Sequence, residues 1–245
     1  MDKNKLERFL VKLNLNGITN KVYIVTDENS TYSNALDENA NLITKIRTDK
    51  PIFTPGENFG LYDATQFIKY LGLIVDPDIK YKLYMSENAD NPQYYKISFA
   101  SKPTSIDYTL SSKEIIPVVK ELKKEPDVNF KFKITPDLSS TIIKSLDISG
   151  SKFMYFINAK KGVFLSIGDV KGKDHVIKIK LDVELLKEMP ENQMKCFNTN
   201  YLRNILSVNN VGEISVAMDG LMIFKSIGAA IEATYYQRPL RDKEE

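Results

Sequence analysis

The sequence predicts an α+β protein built from two copies of one unit of helices and strands. Runs rich in β-branched and aromatic residues dominate the 245-residue chain, and several alternate polar with apolar positions. Four short amphipathic segments interrupt these runs. The segment TQFIKYLGLI from Thr65 resembles TNYLRNILSV from Thr199, and the strands that follow end in Met85 and Met218. This internal similarity indicates a duplicated unit.

The elements follow from periodicity and from helix start signals. Spacing of apolar residues at three and four positions predicts helices over 4–13, 63–74, 136–147 and 199–208. Thr135 before Pro136 is a good start signal, and Asp63 and Asn198 are candidate caps. The strand-like runs cover 21–26, 41–46, 79–85, 94–100, 104–110, 129–134, 152–158, 162–168, 176–181, 213–218 and 221–227.

A segment with two prolines and a run of charges breaks the strand pattern at 111–127. We interpret it as the connector between the two halves. The predicted organisation is an N-terminal domain, this connector, a C-terminal domain and a charged tail, with boundaries at 1–110, 111–127, 128–240 and 241–245.

The exposed helix faces are predicted to be basic or neutral. With the apolar stripes turned inward, the outward positions hold amides, hydroxyls and cations, and acids are nearly absent from the face centres. Four helices on one surface would form a mildly positive, non-specific track for phosphates. The absence of interleaved aromatic side chains argues against single-strand binding. The cations of this predicted DNA-facing surface are Lys5, Arg8, Lys12, Lys69, Lys144 and Arg203.

The sequence offers no recognisable chemistry. The single cysteine, Cys196, excludes an internal disulfide and is expected to be buried. No phosphate-binding glycine loop, dinucleotide fingerprint or zinc-protease motif occurs, so we expect no catalytic residues, no metal and no cofactor. The chain lacks an apolar run long enough to span a bilayer and a secretory signal. We therefore expect a soluble, cytoplasmic protein without a membrane partner.

Three stretches resemble the DNA polymerase sliding clamps of the proliferating-cell-nuclear-antigen type, shared by tailed phages, archaea and eukaryotes. They are LYDATQFIKYLGLI, FNTNYLRNIL and GAAIEATYYQRPL. In that family the last strand likewise ends in two tyrosines, then a proline and an aliphatic residue, then an acidic tail. Tyr235, Tyr236, Pro239 and Leu240 match this pattern here, ahead of RDKEE.

The resemblance implies two clamp domains per chain and three chains joined head to tail in a ring. Helices would line the inside and curved antiparallel sheets the outside. Strand 104–110 would pair with strand 176–181 of the neighbour. The implied function is a non-enzymatic processivity factor that encircles duplex DNA and binds the DNA polymerase and the clamp loader ATPase. The alternative is a monomeric clamp-like factor that binds DNA through the same basic helices.

The resemblance also implies a pocket for a hydrophobic partner peptide. The connector segment EIIPVV matches the aliphatic-aliphatic-proline segment of the family, and the C-terminal end supplies the other wall. Leu42 and Leu221 would form the floor, with ordinary core as their alternative. The pocket residues are then Leu42, Ile115, Ile116, Pro117, Leu221, Tyr236, Pro239 and Leu240. The start of the chain, directly before a helix, looks more like the phage type, which would place the protein in the cytoplasm of an infected host cell.

Overall fold

The chain forms two compact units, residues 1–120 with 228–233 and residues 121–227 with 234–245. In the computed structural model, the described residues are 1–86, 93–101, 104–119, 126–168, 175–218, 220–227 and 230–240. The charged tail predicted at 241–245 and positions 120–125 of the predicted connector lie outside the described residues.

The described residues of the first unit contain two helices, seven strands and a 3-10 turn at Lys113–Ile115. The helices are α1 Lys3–Asn14 and α2 Ala64–Gly72. The strands are β1 Val22–Thr26, β2 Thr31–Leu36, β3 Leu42–Thr48, β4 Phe59–Leu61, β5 Lys80–Met85, β6 Tyr94–Ala100 and β7 Ser105–Thr109.

The strands of this unit lie in two groups of antiparallel neighbours. One group has the order β3-β2-β1-β4 and the other the order β5-β6-β7. The alternating burial of β1 and β3 places one side chain in two against the helices, as a half-buried strand requires. Phe67 of α2 contacts Phe99 and Tyr108 from the second group, so helix and strands share one core.

The second unit again combines a helix pair with antiparallel strands, and its described residues form two helices and most of nine strands. The helices are α3 Pro136–Ser149 and α4 Thr199–Val208. The strands are β8 Phe130–Ile134, β9 Phe153–Ala159, β10 Gly162–Ile167, β11 Ile177–Lys180, β12 Glu184–Leu185, β13 Met194–Asn198, β14 Gly212–Val216, β15 Met222–Ser226 and β16 Ile231–Gln237, of which residues 231–233 belong to the first unit.

These strands are also antiparallel, in the orders β12-β8-β14-β15-β16 and β11-β10-β9-β13. Phe156 of β9 is the centre of the core. Its ring centroid lies 5.7 Å from that of Phe130, 6.0 Å from that of Phe132 and 5.8 Å from that of Phe197. Aromatic packing across the two groups therefore holds this unit together.

The α+β fold class and all four predicted helices are confirmed, and α4 has the predicted bounds at both ends. Asp63, Thr135 and Asn198 cap the helices as predicted. Five strands did not figure in the prediction from periodicity: β2, β4, β12, β13 and β16, of which β16 was expected only from the resemblance. Cys196, expected to be buried, is half-buried on β13.

Candidate DNA-facing helices and partner pocket

Helix α1 turns one side to the core and leaves its basic side outward. The Asp2 carboxylate accepts a hydrogen bond from the Lys5 N–H at 3.0 Å and so starts the helix. Leu15 ends it in the left-handed conformation, at φ 48°. The apolar stripe is fully buried, and its members are Leu6, Phe9, Leu10 and Leu13. The cations of KNKLERFLVKLN are thereby kept off the core side.

The three predicted cations of α1 lie in different environments. Arg8 is exposed and makes no ion pair within the described parts of the chain. Lys12 is half-buried, and that burial lowers the pKa of its ammonium. The Lys5 Nζ lies 2.9 Å from an Asp49 carboxylate oxygen and donates to the Lys50 carbonyl at 3.1 Å. Lys5 is therefore already engaged by the protein.

Helix α2 packs beside α1 through a polar link. The Asn14 side-chain amide donates to the Thr65 hydroxyl at 3.2 Å. The Asp63 carboxylate accepts from the Gln66 N–H at 2.8 Å, which fixes the start of α2. Lys69 is exposed and has no ion pair among the described residues. The first unit thus presents Arg8 and Lys69 as available cations.

The helix pair of the second unit carries a neutralising contact. Lys144 on α3 is exposed. Arg203 on α4 is also exposed, but its Nε lies 2.6 Å from a carboxylate oxygen of Asp147 on α3. A surface groove of about 560 Å³ beside this pair contains Lys152 and Asn200 as well. Charges of both signs therefore meet where α3 ends and α4 begins.

The expectation that all four helices agree in sign is wrong for the second unit. Helices α1 and α2 contain five basic side chains and one acidic one, Glu7. Helices α3 and α4 contain two of each sign, because Asp137 and Asp147 offset Lys144 and Arg203. The basic character is therefore a property of the first helix pair.

A polar side chain of α4 is buried. Asn204 is only 7% exposed. Its amide donates to the Asn200 carbonyl at 2.8 Å and to the Asn200 side-chain oxygen at 3.0 Å. Because those bonds satisfy the amide within the helix, it is buried without a desolvation penalty.

The connector residues of the predicted pocket lie against the first unit. The Ser111 N–H donates a hydrogen bond to the carbonyl of Gly60 on β4 at 2.8 Å. A Cβ at Gly60 would lie 2.6 Å from the Ser111 carbonyl oxygen, so this close approach requires glycine. Ile116 and Pro117 line a groove of about 180 Å³ together with side chains of β1 and β2, among them Tyr23. Ile115 is 54% exposed.

Leu42 does not share that groove. It is fully buried at the start of β3, and its N–H donates to the Asp37 carboxylate at 2.7 Å. Asp37 in turn donates its own N–H to the Leu42 carbonyl at 3.1 Å, which closes the turn between β2 and β3. Its position is that of a core residue.

The remaining pocket residues lie in the second unit. Leu221 follows β14, and its carbonyl accepts from the Ala217 N–H at 3.0 Å. Tyr236 on β16 pairs with Ile223 on β15. The Leu240 N–H donates to the Cys196 carbonyl at 3.0 Å, which holds the C-terminal segment, including the half-buried Pro239, beside β13. Tyr236, Pro239 and Leu240 are all partly exposed.

The two strands expected to pair between chains both lie at the end of a strand group. In the orders β5-β6-β7 and β11-β10-β9-β13, β7 and β11 are terminal. Asp107 on β7 accepts hydrogen bonds from Ser98 and Lys96, which lower the pKa of its carboxyl. Burial raises the pKa of the neighbouring Tyr108 to about 12, so its hydroxyl remains a donor to the Asp63 carbonyl at 2.8 Å. Strand β11 carries Lys178 and Lys180.

Among the described residues, no group of three or more His, Cys, Asp or Glu side chains lies close enough to hold a metal ion. None of the helices in these parts of the chain has the length and apolar character needed to cross a bilayer.

The fold is that of the sliding clamps. A crystal structure of proliferating cellular nuclear antigen from Entamoeba histolytica aligns with a TM-score of 0.65 and 13% identity, over 96% of this chain and 94% of that one. The PCNA2–PCNA3 complex from Sulfolobus tokodaii aligns with a TM-score of 0.65 and 14% identity, over 99% and 98%. No protein-family model and no curated protein sequence matches the chain.

Proposed function

We propose that this protein is a sliding clamp: a non-enzymatic processivity factor whose closed ring of three identical chains encircles duplex DNA and tethers a DNA polymerase. The observation that carries the proposal is the clamp fold, because the alignments cover nearly the full length of this chain and of both solved structures. The repeated helix pairs support it, because one of them has the basic face that a phosphate track requires. The domains of this clamp would be 1–110 and 128–240, joined by 111–127.

In this proposal the helices face the DNA without reading its sequence. Arg8, Lys12 and Lys69 would attract the phosphates, with Lys144 supplementing them. Arg203 would contribute only when it leaves Asp147, and Lys5 only when it leaves Asp49. Affinity would come from enclosure, so individual phosphate contacts need only be weak and mobile.

Ring closure would use the two terminal strands. An edge strand presents unpaired N–H and C=O groups, and β7 of one chain could pair with β11 of the next. The side chains complement this pairing, because β7 carries Asp107 and β11 carries Lys178 and Lys180. Repetition of one such head-to-tail contact closes a ring when the rotation between copies matches a third of a turn.

Partners would bind where the connector and the C-terminal segment offer apolar surface. A short hydrophobic peptide of the polymerase or of the clamp loader ATPase would contact Ile115, Ile116 and Pro117 of the first unit. Leu221, Tyr236, Pro239 and Leu240 would provide the contacts from the second unit. The fully buried Leu42 would not contact the peptide directly.

The experiment that tests this proposal distinguishes enclosure from ordinary binding. Linear duplex DNA is held on beads by one end, incubated with concentrated protein, and then blocked at the free end before a wash at high salt. A ring threaded over the end is retained on the blocked DNA and lost from the unblocked DNA. A monomeric clamp-like factor, which binds through phosphate contacts alone, is lost equally from both, and that result would overturn the ring.

A further inference from the structure

The sheet β11-β10-β9-β13 has an unusual face directed away from the core. Its core face is complete: Met154, Phe156, Leu165 and Ile167 are fully buried. Because side chains alternate along a strand, the intervening residues project from the opposite face. We call the apolar residues there the exposed apolar face: Phe153, Tyr155, Ile157, Phe164, Met194 and Cys196.

The strand register arranges this face in rows. One row runs from Lys180 through Phe164 and Ile157 to Met194. The next runs from Lys178 through Ser166 and Tyr155 to Cys196. Each row therefore begins with a lysine on the terminal strand and ends with an apolar or sulfur-bearing side chain on β13.

The corresponding face of the sheet β5-β6-β7 in the first unit is polar. Its rows are Lys80–Ala100–Ser105, Lys82–Ser98–Asp107 and Tyr84–Lys96–Thr109. The Tyr84 ring is the one large apolar surface in these three rows, and it is covered by the ammonium groups of Lys82 at 4.8 Å and Lys96 at 4.3 Å. Since the same fold accepts a polar face in one unit, the apolar face of the other unit is not a requirement of the fold.

The contrast between the two sheets matters because the apolar side chains in the second unit are partly exposed to solvent. Phe153 and Met194 are each 41% exposed, and Tyr155, Ile157 and Phe164 are half-buried. Contiguous apolar side chains on an exposed sheet reduce solubility unless something covers them. A partner that buries these five side chains would gain the corresponding hydrophobic free energy.

The charge around the exposed apolar face indicates which class of partner it fits. The four strands contain no acidic residue, and their basic residues include Lys178 and Lys180 at the border. Duplex DNA would need cations at the centre, where Ile157 and Phe164 lie instead. An acidic amphipathic helix fits both features, because its apolar side covers the rows while its carboxylates reach the lysines.

We propose that the exposed apolar face is a docking surface for an acidic amphipathic helix of a partner protein. The apolar side chains of this surface lie outside the proposed ring contact, whereas Lys178 and Lys180 would serve both. Strand pairing at β11 would use the backbone at the edge of the sheet, whereas the lysine side chains project from its face. The docking surface also differs from the predicted peptide pocket, none of whose residues belongs to it.

The test uses a synthetic helical peptide with Leu and Phe on one side and Glu on the other. A counterpart with Lys in place of Glu and a scrambled acidic peptide serve as probe controls. Binding is measured by fluorescence anisotropy on the full chain. Cys196 is the single cysteine of the sequence and lies on the face, so slower alkylation by a maleimide reports occupancy at this place.

Two variants separately test the apolar contact and the charge contact with the peptide. We expect Phe153→Thr with Met194→Thr to weaken the acidic peptide about tenfold, because the apolar contact is lost while threonine preserves the strand. Lys178→Glu with Lys180→Glu should weaken it by about the same factor and abolish its salt dependence. The matched control is Met85→Thr with Tyr95→Thr, two residues of 49% exposure in the first unit. This control should leave the affinity unchanged.

Several results would overturn the proposal. One is that the basic peptide binds as tightly as the acidic peptide. Others are that the acidic peptide does not bind, or binds without slowing the alkylation of Cys196. The last is that the control variant loses as much affinity as the two test variants. Slower alkylation with anionic vesicles or duplex DNA instead of the peptide would assign the face to those ligands. A changed solution mass in the Phe153 and Met194 variant would make it a contact between copies.

Lys178→Glu with Lys180→Glu would also weaken the proposed ring contact, so retention by end-blocked DNA is compared in the unaltered chain and in Phe153→Thr with Met194→Thr. Retention without peptide binding overturns this proposal alone, and peptide binding without retention overturns the ring alone.

Discussion

The two helix pairs have the same architecture but different charge. In α1 and α2, five basic side chains face one acid, and Arg8 and Lys69 have no ion pair among the described residues. In α3 and α4 the signs balance, and Asp147 holds Arg203. The two units therefore share helix pairs with apolar stripes but differ in the charge of their outward faces.

The cations that attract DNA therefore need not be distributed equally between the two units of a repeated fold. In the proposed ring, positive helix pairs from the first unit would alternate with neutral pairs from the second. Phosphate attraction would then depend mainly on the first pair, in which Arg8 and Lys69 are exposed and Lys12 is half-buried. The second pair would act as a spacer that neither holds nor repels the duplex.

The largest expected effect comes from neutralising the first pair. Arg8→Gln, Lys12→Gln and Lys69→Gln together should reduce affinity for duplex DNA at low salt by roughly tenfold to a hundredfold. The slope of log affinity against log salt should fall by about 0.9 for each phosphate contact removed. Fluorescence anisotropy over a salt series measures both quantities.

The matched control is Lys144→Gln with Arg203→Gln in the second pair, which should change the affinity much less. Equal losses in the two variants would contradict the asymmetry between the helix pairs. Both variants should keep their urea midpoints, since surface substitutions usually change stability by about 0.5 kcal/mol or less.

The second helix of each unit offers a comparison of caps. Asp63 starts α2 with a carboxylate, and Asn198 starts α4 with an amide. Replacing either with alanine should lower the free energy of unfolding by about 1 kcal/mol. The loss of unfolding free energy on replacing Asp63 should become smaller when salt is added, because a carboxylate also interacts with the helix dipole and salt screens that interaction. Urea titrations at two salt concentrations measure this, and a salt-insensitive loss at Asp63 would remove the dipole contribution.

A smaller effect is expected from releasing Arg203. Asp147→Asn removes the carboxylate 2.6 Å from its Nε and adds an available cation to the second pair. DNA affinity should rise about twofold to fivefold, and the salt slope should steepen by up to about 0.9. Stability should change by less than about 1 kcal/mol because both side chains are half-exposed. Unchanged affinity would mean that Arg203 does not meet the phosphates.

The smallest effect is a titration in the first unit. The hydrogen bond from Lys5 lowers the pKa of the Asp49 carboxyl below its usual 3.8. A lowered pKa means that the pair stabilises the fold above the ordinary carboxyl pKa and that this contribution is lost as pH falls through the folded value. Carbon-detected NMR should give a midpoint below 3.8 for Asp49, rising toward it in Lys5→Gln. Identical midpoints would show that the ion pair does not form in solution.

The helices could be predicted because their signals are local. Apolar spacing, Asp63, and Thr135 followed by Pro136 specify the starts and the buried sides without reference to the rest of the fold. The charge difference between the pairs was missed for a tertiary reason. Asp147 comes close to Arg203 only when α3 and α4 pack together, although the acid itself is visible in the sequence.

The missed strands lack the usual alternation of apolar and polar residues. In β2 the buried positions include Thr31 and Ser33. The Ser33 hydroxyl donates to the Tyr23 carbonyl at 2.8 Å, and the Thr31 hydroxyl lies 3.2 Å from that of Thr26. Buried hydroxyls that find such partners are satisfied without being apolar, so periodicity of hydrophobic residues cannot find them.

The pocket prediction came from resemblance rather than from a physical pattern in the residues. EIIPVV reads as a proline-containing connector, and only the structure places Ile116 in a groove beside β1 and β2. Leu42 could not be assigned from the sequence, because a leucine that starts a strand has the same pattern in a core and in a pocket floor. The apolar face of β9, β10 and β13 likewise required the strand register.

Light scattering across a dilution series measures the solution mass and so tests whether the proposed closed ring forms. A ring of three chains predicts a species at three times the 27.9 kDa chain mass that dissociates only on dilution. Lys178→Asp with Lys180→Asp, which removes the charge match at β11, should shift that dissociation to higher protein concentration. A single species at 27.9 kDa at the highest attainable concentration would contradict the ring and favour a monomeric DNA-binding factor.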